Sequence, residues 1–181
     1  MLKCILLLMW LVSAVAGMTQ NYTPVDEGSK VHFVIKNFGF NTGGDLRGLS
    51  GSIAFNPDNL KASVMNVSVA VKTIDTDNET RDEHLRSDSY FNADKFPLIT
   101  IKSTGIDKTN KPGTWYYFTG TLTMHGVTKI ISFPFTATLH SNDYLFTGKF
   151  ELNRLDFGVG EPSSVMSKTV KVSISVLAKK R

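Results

Sequence analysis

Residues 115–139 read Trp-Tyr-Tyr-Phe-Thr-Gly-Thr-Leu-Thr-Met, then His125-Gly126, then Val-Thr-Lys-Ile-Ile-Ser-Phe-Pro-Phe-Thr-Ala-Thr-Leu. Two runs rich in aromatic and β-branched residues flank a two-residue break that ends in Gly, which specifies a β-hairpin. In the second arm Val127, Ile131, Phe133, Phe135, Ala137 and Leu139 occupy alternate positions, and only Lys129 interrupts the row. Alternate side chains of a strand point to opposite faces, so one face of this arm is a long apolar wall. Whatever covers that wall decides what the protein does.

The rest of the chain repeats the theme. Val31, Phe33 and Ile35 alternate in a first strand over Lys30–Lys36. Asn37–Gly44, with three glycines, reads as a turn or bulge. A second strand runs from Leu49 to Phe55, and a third from Ala62 to Ile74 puts Met65, Val67, Val69 and Val71 on one face. Thr76–Ser89 is polar, and Thr80–Arg86 reads as a short helix with Thr80 as N-cap and Glu83 three residues on. Strands resume at Leu98–Thr104, pass through the hairpin, and continue at Tyr144–Asn153. After a long loop, Arg154–Ser167, the last strand spans Thr169–Ala178, with Val170, Val172, Ile174 and Val176 alternating against polar residues. About eight short strands with one helical insertion mean an all-β sandwich or barrel. Eight antiparallel strands close into a barrel whose interior is either filled by side chains or holds one small ligand. Alternation alone does not choose between filled and hollow.

Composition narrows the classes. The chain has 181 residues, 41% hydrophobic and 20% charged, enough for one domain with a real core. The net charge is +4, or +3 once Lys3 is discounted with a leader, and no basic run exceeds Lys179-Lys180-Arg181. A solvated basic surface accounts for this better than a nucleic-acid site, and no nucleic-acid partner is expected. Lys3, the apolar run Ile5–Val12 and Ala14-Val15-Ala16 compose a cleavable signal peptide over residues 1–16, leaving one domain over residues 17–181 that is exported to the periplasm or secreted. The apolar run is too short for a stable membrane span. The only cysteine, Cys4, lies in the leader, so the mature chain has no disulfide.

Three separated blocks go beyond generic β pattern. They are Arg81-Asp82-Glu83-His84-Leu85-Arg86 through Tyr90-Phe91 to Lys95-Phe96-Pro97, then Leu122-Thr123-Met124-His125-Gly126-Val127-Thr128, and Arg154-Leu155-Asp156-Phe157-Gly158. Together, in this order and spacing, they resemble the signatures of the YceI-like family, over essentially the whole mature chain. Tyr90 departs from the family's usual Phe, and Ser163–Thr169 lacks a frequent Gly-Asp pair. The resemblance implies an eight-stranded antiparallel, lipocalin-like barrel, exported, holding a polyisoprenoid or other long-chain lipid in an apolar lumen. Rows able to line that lumen are Phe33 and Ile35, Val67 and Val69, Leu122 and Met124, Ile131, Phe133 and Phe135, and Val172 and Ile174. Arg81 and His84 are candidates for a lipid head group. At about 0.8 kcal/mol per buried methylene, two isoprene units supply roughly 8 kcal/mol gross before ordering costs.

Catalytic signals are lacking. His32, His84, His125 and His140 have no metal-ligand spacing, so no metal and no cofactor is expected. His125 reads as a turn residue bonded to local backbone, and His84 as part of a helix-anchoring network. Asp156-Phe157-Gly158 lacks every other kinase element, and no hydrolase elbow occurs. The expected protein is a non-catalytic carrier or reservoir. An exported enzyme acting on an isoprenoid lipid, and a filled structural barrel binding envelope proteins, are the alternatives. The oligomeric state, a homodimer included, is left open.

Overall fold

The computed structural model describes residues 20–181. The leader expected over residues 1–16, with its cleavage point before Gly17, lies outside the described residues. Eight strands follow in chain order: β1 (Gln20–Asn37), β2 (Phe40–Phe55), β3 (Val64–Asp75), β4 (Leu98–Lys108), β5 (Trp115–Met124), β6 (Val127–His140), β7 (Asp143–Asn153) and β8 (Met166–Lys180). One helix, α1 (Glu79–Arg86), stands between β3 and β4, and two short 3-10 turns, Leu60–Ala62 and Arg154–Phe157, precede β3 and follow β7. Each strand pairs antiparallel with the next and β8 pairs back onto β1, so the sheet closes on itself. The fold is a closed eight-stranded antiparallel barrel, as the alternation and the family resemblance led one to expect.

The 115–139 hairpin forms with Met124 paired to Val127 and with positive φ at His125 (51°) and Gly126 (75°). That is the two-residue primed turn whose twist suits a hairpin. The same device, Phe38 (φ 50°) and Gly39 (φ 80°), joins β1 to β2. Here the expected turn over Asn37–Gly44 is corrected: only Phe38 and Gly39 turn, and residues 40–44 belong to β2. The other two glycines serve close approach. A Cβ on Gly44 would come 2.6 Å from the Phe33 ring, and one on Gly43 would come 2.9 Å from the His32 ring. The glycines keep the strand paired by leaving those cross-strand rings their space.

Both first strands are longer than their alternation indicates, because each carries a bulge that exchanges its faces. In β1, Tyr22 and Pro24 are buried, the register shifts between Val25 and Lys30, and afterwards Val31, Phe33 and Ile35 face the interior. In β2 the shift lies between Arg47 and Ser50, with Gly48 at φ 73°. The Asp26 carboxylate in the first bulge accepts from the backbone N–H groups of Gly48 (3.0 Å) and Leu49 (2.9 Å) in the second. The bulges are thereby locked to one another.

One end of the barrel is filled. Tyr22, Phe55, Tyr116, Phe118, Phe133, Phe135 and Phe146 form its core, with Tyr144 packed against them. Phe55 takes edge-to-face contacts from Tyr116 (5.2 Å), Tyr144 (5.2 Å) and Phe146 (5.4 Å). Each such pair contributes about 0.5–1.5 kcal/mol beyond its buried area. Gln20 and Lys180 lie at this same end, where β1 meets the last residues of β2 and β8.

Burial raises the pKa values of Tyr22, Tyr116 and Tyr144 above their usual range, and the neighbouring phenol of Tyr144 adds to the first two. The native state therefore keeps these protons at pH values where the unfolded chain releases them. Their stabilising effect is complete below the ordinary tyrosine pKa of about 10 and is lost as pH rises beyond it. Denaturant midpoints measured from neutral pH upward should hold until about pH 10 and then fall, with phenolate absorbance of these residues appearing only as the barrel opens.

Candidate functional site

Above the aromatic end the interior is hollow. A cavity of about 500 Å³ is walled by Val31, Phe33 and Ile35 of β1, Val67 and Val69 of β3, Ile99 and Ile101 of β4, Leu122 and Met124 of β5, Phe150 and Leu152 of β7, and Val170, Val172, Ile174 and Val176 of β8. Native cores rarely leave voids much larger than a water molecule, so this volume is a built feature and no packing defect. Phe150 forms its floor and joins it to the aromatic end, stacking on Phe133 at 4.7 Å, which in turn stacks on Phe118 at 4.9 Å.

Of the residues singled out from sequence, Phe33, Ile35, Val67, Val69, Leu122, Met124, Val172 and Ile174 border the cavity. Phe133 and Phe135 do not. Both are packed in the aromatic plug, and Ile131 lies between the two clusters without reaching the cavity wall. The strand tilt of a barrel carries β6 obliquely past the floor, so one apolar row serves two levels of the interior. Sequence reading places the β7 strand at Tyr144–Asn153 but names no lumen residue on it, although Phe150 and Leu152 supply floor and wall. Their alternation, broken by Gly148, Lys149 and Glu151, was the available signal.

Polar residues gather at the mouth. Thr76, Asn78, Thr80, Arg81 and His84 border it, together with Leu85, Tyr90 and Phe91. The N-cap of α1 is Asn78, whose side-chain oxygen accepts from Arg81 N–H at 2.9 Å, so the expected Thr80 cap is corrected. Asn78 wins because buried Asp82 fixes the helix start: its carboxylate accepts from the N–H (3.0 Å) and the hydroxyl of Thr76. Arg81 donates from Nε to that same hydroxyl at 2.7 Å and from Nη2 to the Thr76 carbonyl. The anchoring network is thus Thr76, Arg81 and Asp82. His84 stands outside it, exposed, with its ring edge-on to Tyr90 at 4.8 Å.

The third block of the sequence resemblance forms the far rim. Arg154 is 3% exposed. Its guanidinium donates to the carbonyls of Val159 (2.8 Å), Glu161 (2.8 Å) and Ser167 (3.1 Å), which shapes the loop before β8. Burial pushes its pKa down, opposed by Tyr90 and Glu161. His125 explains why the blocks occur together. Its Nδ1–H donates to the Phe157 carbonyl at 3.2 Å, and its ring packs edge-on against Phe96 at 5.0 Å. The expectation of a purely local backbone bond is corrected: the hairpin turn staples the Lys95-Phe96-Pro97 corner to the Arg154–Phe157 turn. Among the described residues, no group of three or more His, Cys, Asp or Glu residues is placed to hold a metal ion, and no helix is long and apolar enough to cross a membrane.

Comparison with known proteins agrees with this arrangement. The YceI-like domain matches residues 22–178. A UPF0312 protein of Yersinia pestis is 32% identical over 153 residues, covering 81% of this chain and 78% of that protein. In structure, BcnA of Burkholderia cenocepacia superposes with a TM-score of 0.78 at 23% identity, over 83% of this chain and 96% of that one. A polyisoprenoid binding domain from Saccharophagus degradans, implicated in plant cell wall breakdown, superposes with a TM-score of 0.70, over 91% of this chain and all of that domain. At 13% identity the second likeness is one of fold.

Proposed function

This chain belongs to the YceI-like domain family, and on that premise we propose that its barrel is a non-catalytic carrier or reservoir for a polyisoprenoid or similar long-chain amphiphile. The observation that carries the proposal is the half-hollow interior: a cavity of about 500 Å³, mostly apolar along its walls, floored by Phe150, with its polar residues concentrated at one mouth. An apolar tail entering such a space gains roughly 0.8 kcal/mol per methylene removed from water and needs no specific polar partner. The head group stays at the rim, within reach of Arg81 and exposed His84. A barrel filled for structural reasons alone would continue its aromatic packing to both ends. The shared fold with a domain named for polyisoprenoid binding supports the ligand class. The leader composition over residues 1–16 supports export, so the carrier would work in the cell envelope or outside the cell.

Native mass spectrometry of protein purified gently from cells expressing the whole chain should show a bound prenyl lipid that is released on denaturation. The stripped protein should take up an added long-chain prenol with micromolar or tighter affinity. A ligand-free protein that refuses the prenol refutes the carrier reading. Chemical turnover of the prenol would make the protein an enzyme instead.

A further inference from the structure

Among the described residues, the β1–β2 turn at the mouth carries the largest aromatic exposure. Phe38 is 69% and Phe40 77% exposed, and the Phe38 N–H donates to the carbonyl of Val165, itself 41% exposed, at 2.9 Å. Phe40 continues the side of β2 that carries the cavity residues Thr42 and Leu46, one step past the rim. Its register partner, Asn37, borders the cavity. The aromatic tip is therefore continuous with the tunnel entrance.

The tip is also cationic. Lys36 and Lys168 border one shallow groove with Val165 and Met166. Neither lysine pairs with a carboxylate among the described residues, so both ammonium groups are free to meet an anion. Residues 36–44 and 162–171 contain no Asp or Glu. Exposed aromatics flanked by unpaired lysines match the surface of an anionic bilayer, where rings enter the acyl boundary and ammonium groups meet the phosphates. We propose that Phe38, Phe40 and Val165, with Lys36 and Lys168, form a membrane-docking tip that sets the tunnel mouth on an anionic lipid surface. Contact is confined to this side of the rim, since α1 carries Glu79 and Glu83. The inference rests on the cavity being a lipid site, because a bilayer is where such a ligand must be collected or delivered.

Flotation with vesicles of phosphatidylcholine and phosphatidylglycerol tests it. The protein should bind these vesicles, and the double variant F38S/F40S should partition about tenfold more weakly. A Phe40→Trp variant should show a blue-shifted emission quenched by brominated acyl chains. Trp115, at the opposite end of the barrel, supplies an unquenched reference in the parent protein. Uptake of a short soluble prenol without vesicles should be equal in the parent and F38S/F40S, which separates this inference from the carrier reading. Undiminished vesicle binding by F38S/F40S, equal binding to vesicles of phosphatidylcholine alone, or loss of binding only on replacing Lys179 and Lys180 would each overturn the assignment.

Discussion

Replacing Val69 and Val172 together by Trp should weaken binding of a long-chain prenol by about 100-fold, or roughly 2.7 kcal/mol, while the barrel stays folded. Both valines border the cavity, from β3 and β8, which are not neighbours in the sheet. Two indoles entering from separate walls occupy the space where the ligand's tail would lie. Extra bulk ordinarily strains a core because no room exists for it. Here the added rings meet a void of about 500 Å³, so the cost to folding is small. Ligand fluorescence titration and far-ultraviolet circular dichroism on the same samples separate the two effects. Val64→Trp, on the exposed side of the same β3, is the control that should bind normally. If the double variant binds as tightly as the parent, the ligand sits outside the barrel.

Arg154→Ala should cost about 4 kcal/mol of stability, because it removes three hydrogen bonds from a cation and leaves the buried Val159 carbonyl without its partner. For a chain of this size that lowers the melting temperature by roughly 8–16 °C. Among the described residues no carboxylate lies within ion-pair distance of Arg154, so the loss stems from its hydrogen bonds and not from a broken ion pair. Arg154→Lys keeps the charge but offers a single nitrogen to three acceptors set by a planar fork, and should recover less than half of the deficit. Differential scanning calorimetry of the three proteins decides the matter. Were the alanine variant to melt within two degrees of the parent, Arg154 would not be what holds the rim loop.

Legibility varied from residue to residue for identifiable reasons. β5 and β6 were readable to within a residue because alternation, interrupted only at Lys129, ran on both sides of a two-residue primed turn. β1 and β2 were read about half their length, since their bulges exchange the two faces midway and erase the period on which such a reading depends. The helix was placed correctly and its cap was not. Asn78 and Thr80 are both good capping residues, and Asp82 bonding back to Thr76 decided between them. His125 sits in a turn, yet its partner is a carbonyl 32 positions further along, which local sequence cannot indicate.

The interior divides along the same line. Alternation by itself grouped Phe33, Val69, Leu122 and Val172 with the apolar residues of their strands on one face, and the closed sheet decided that this face turns inward. Alternation likewise put Phe133 and Phe135 on one face of β6, which the structure turns inward. Whether an inward residue borders empty space or fills it depends on its height along the barrel axis. That height follows from stagger, tilt and the two interlocked bulges, all of which are relations between strands. Eight rows of aromatic and aliphatic side chains came from the chain itself; that the large rings collect at one end and leave the other hollow was decided only when the sheet closed.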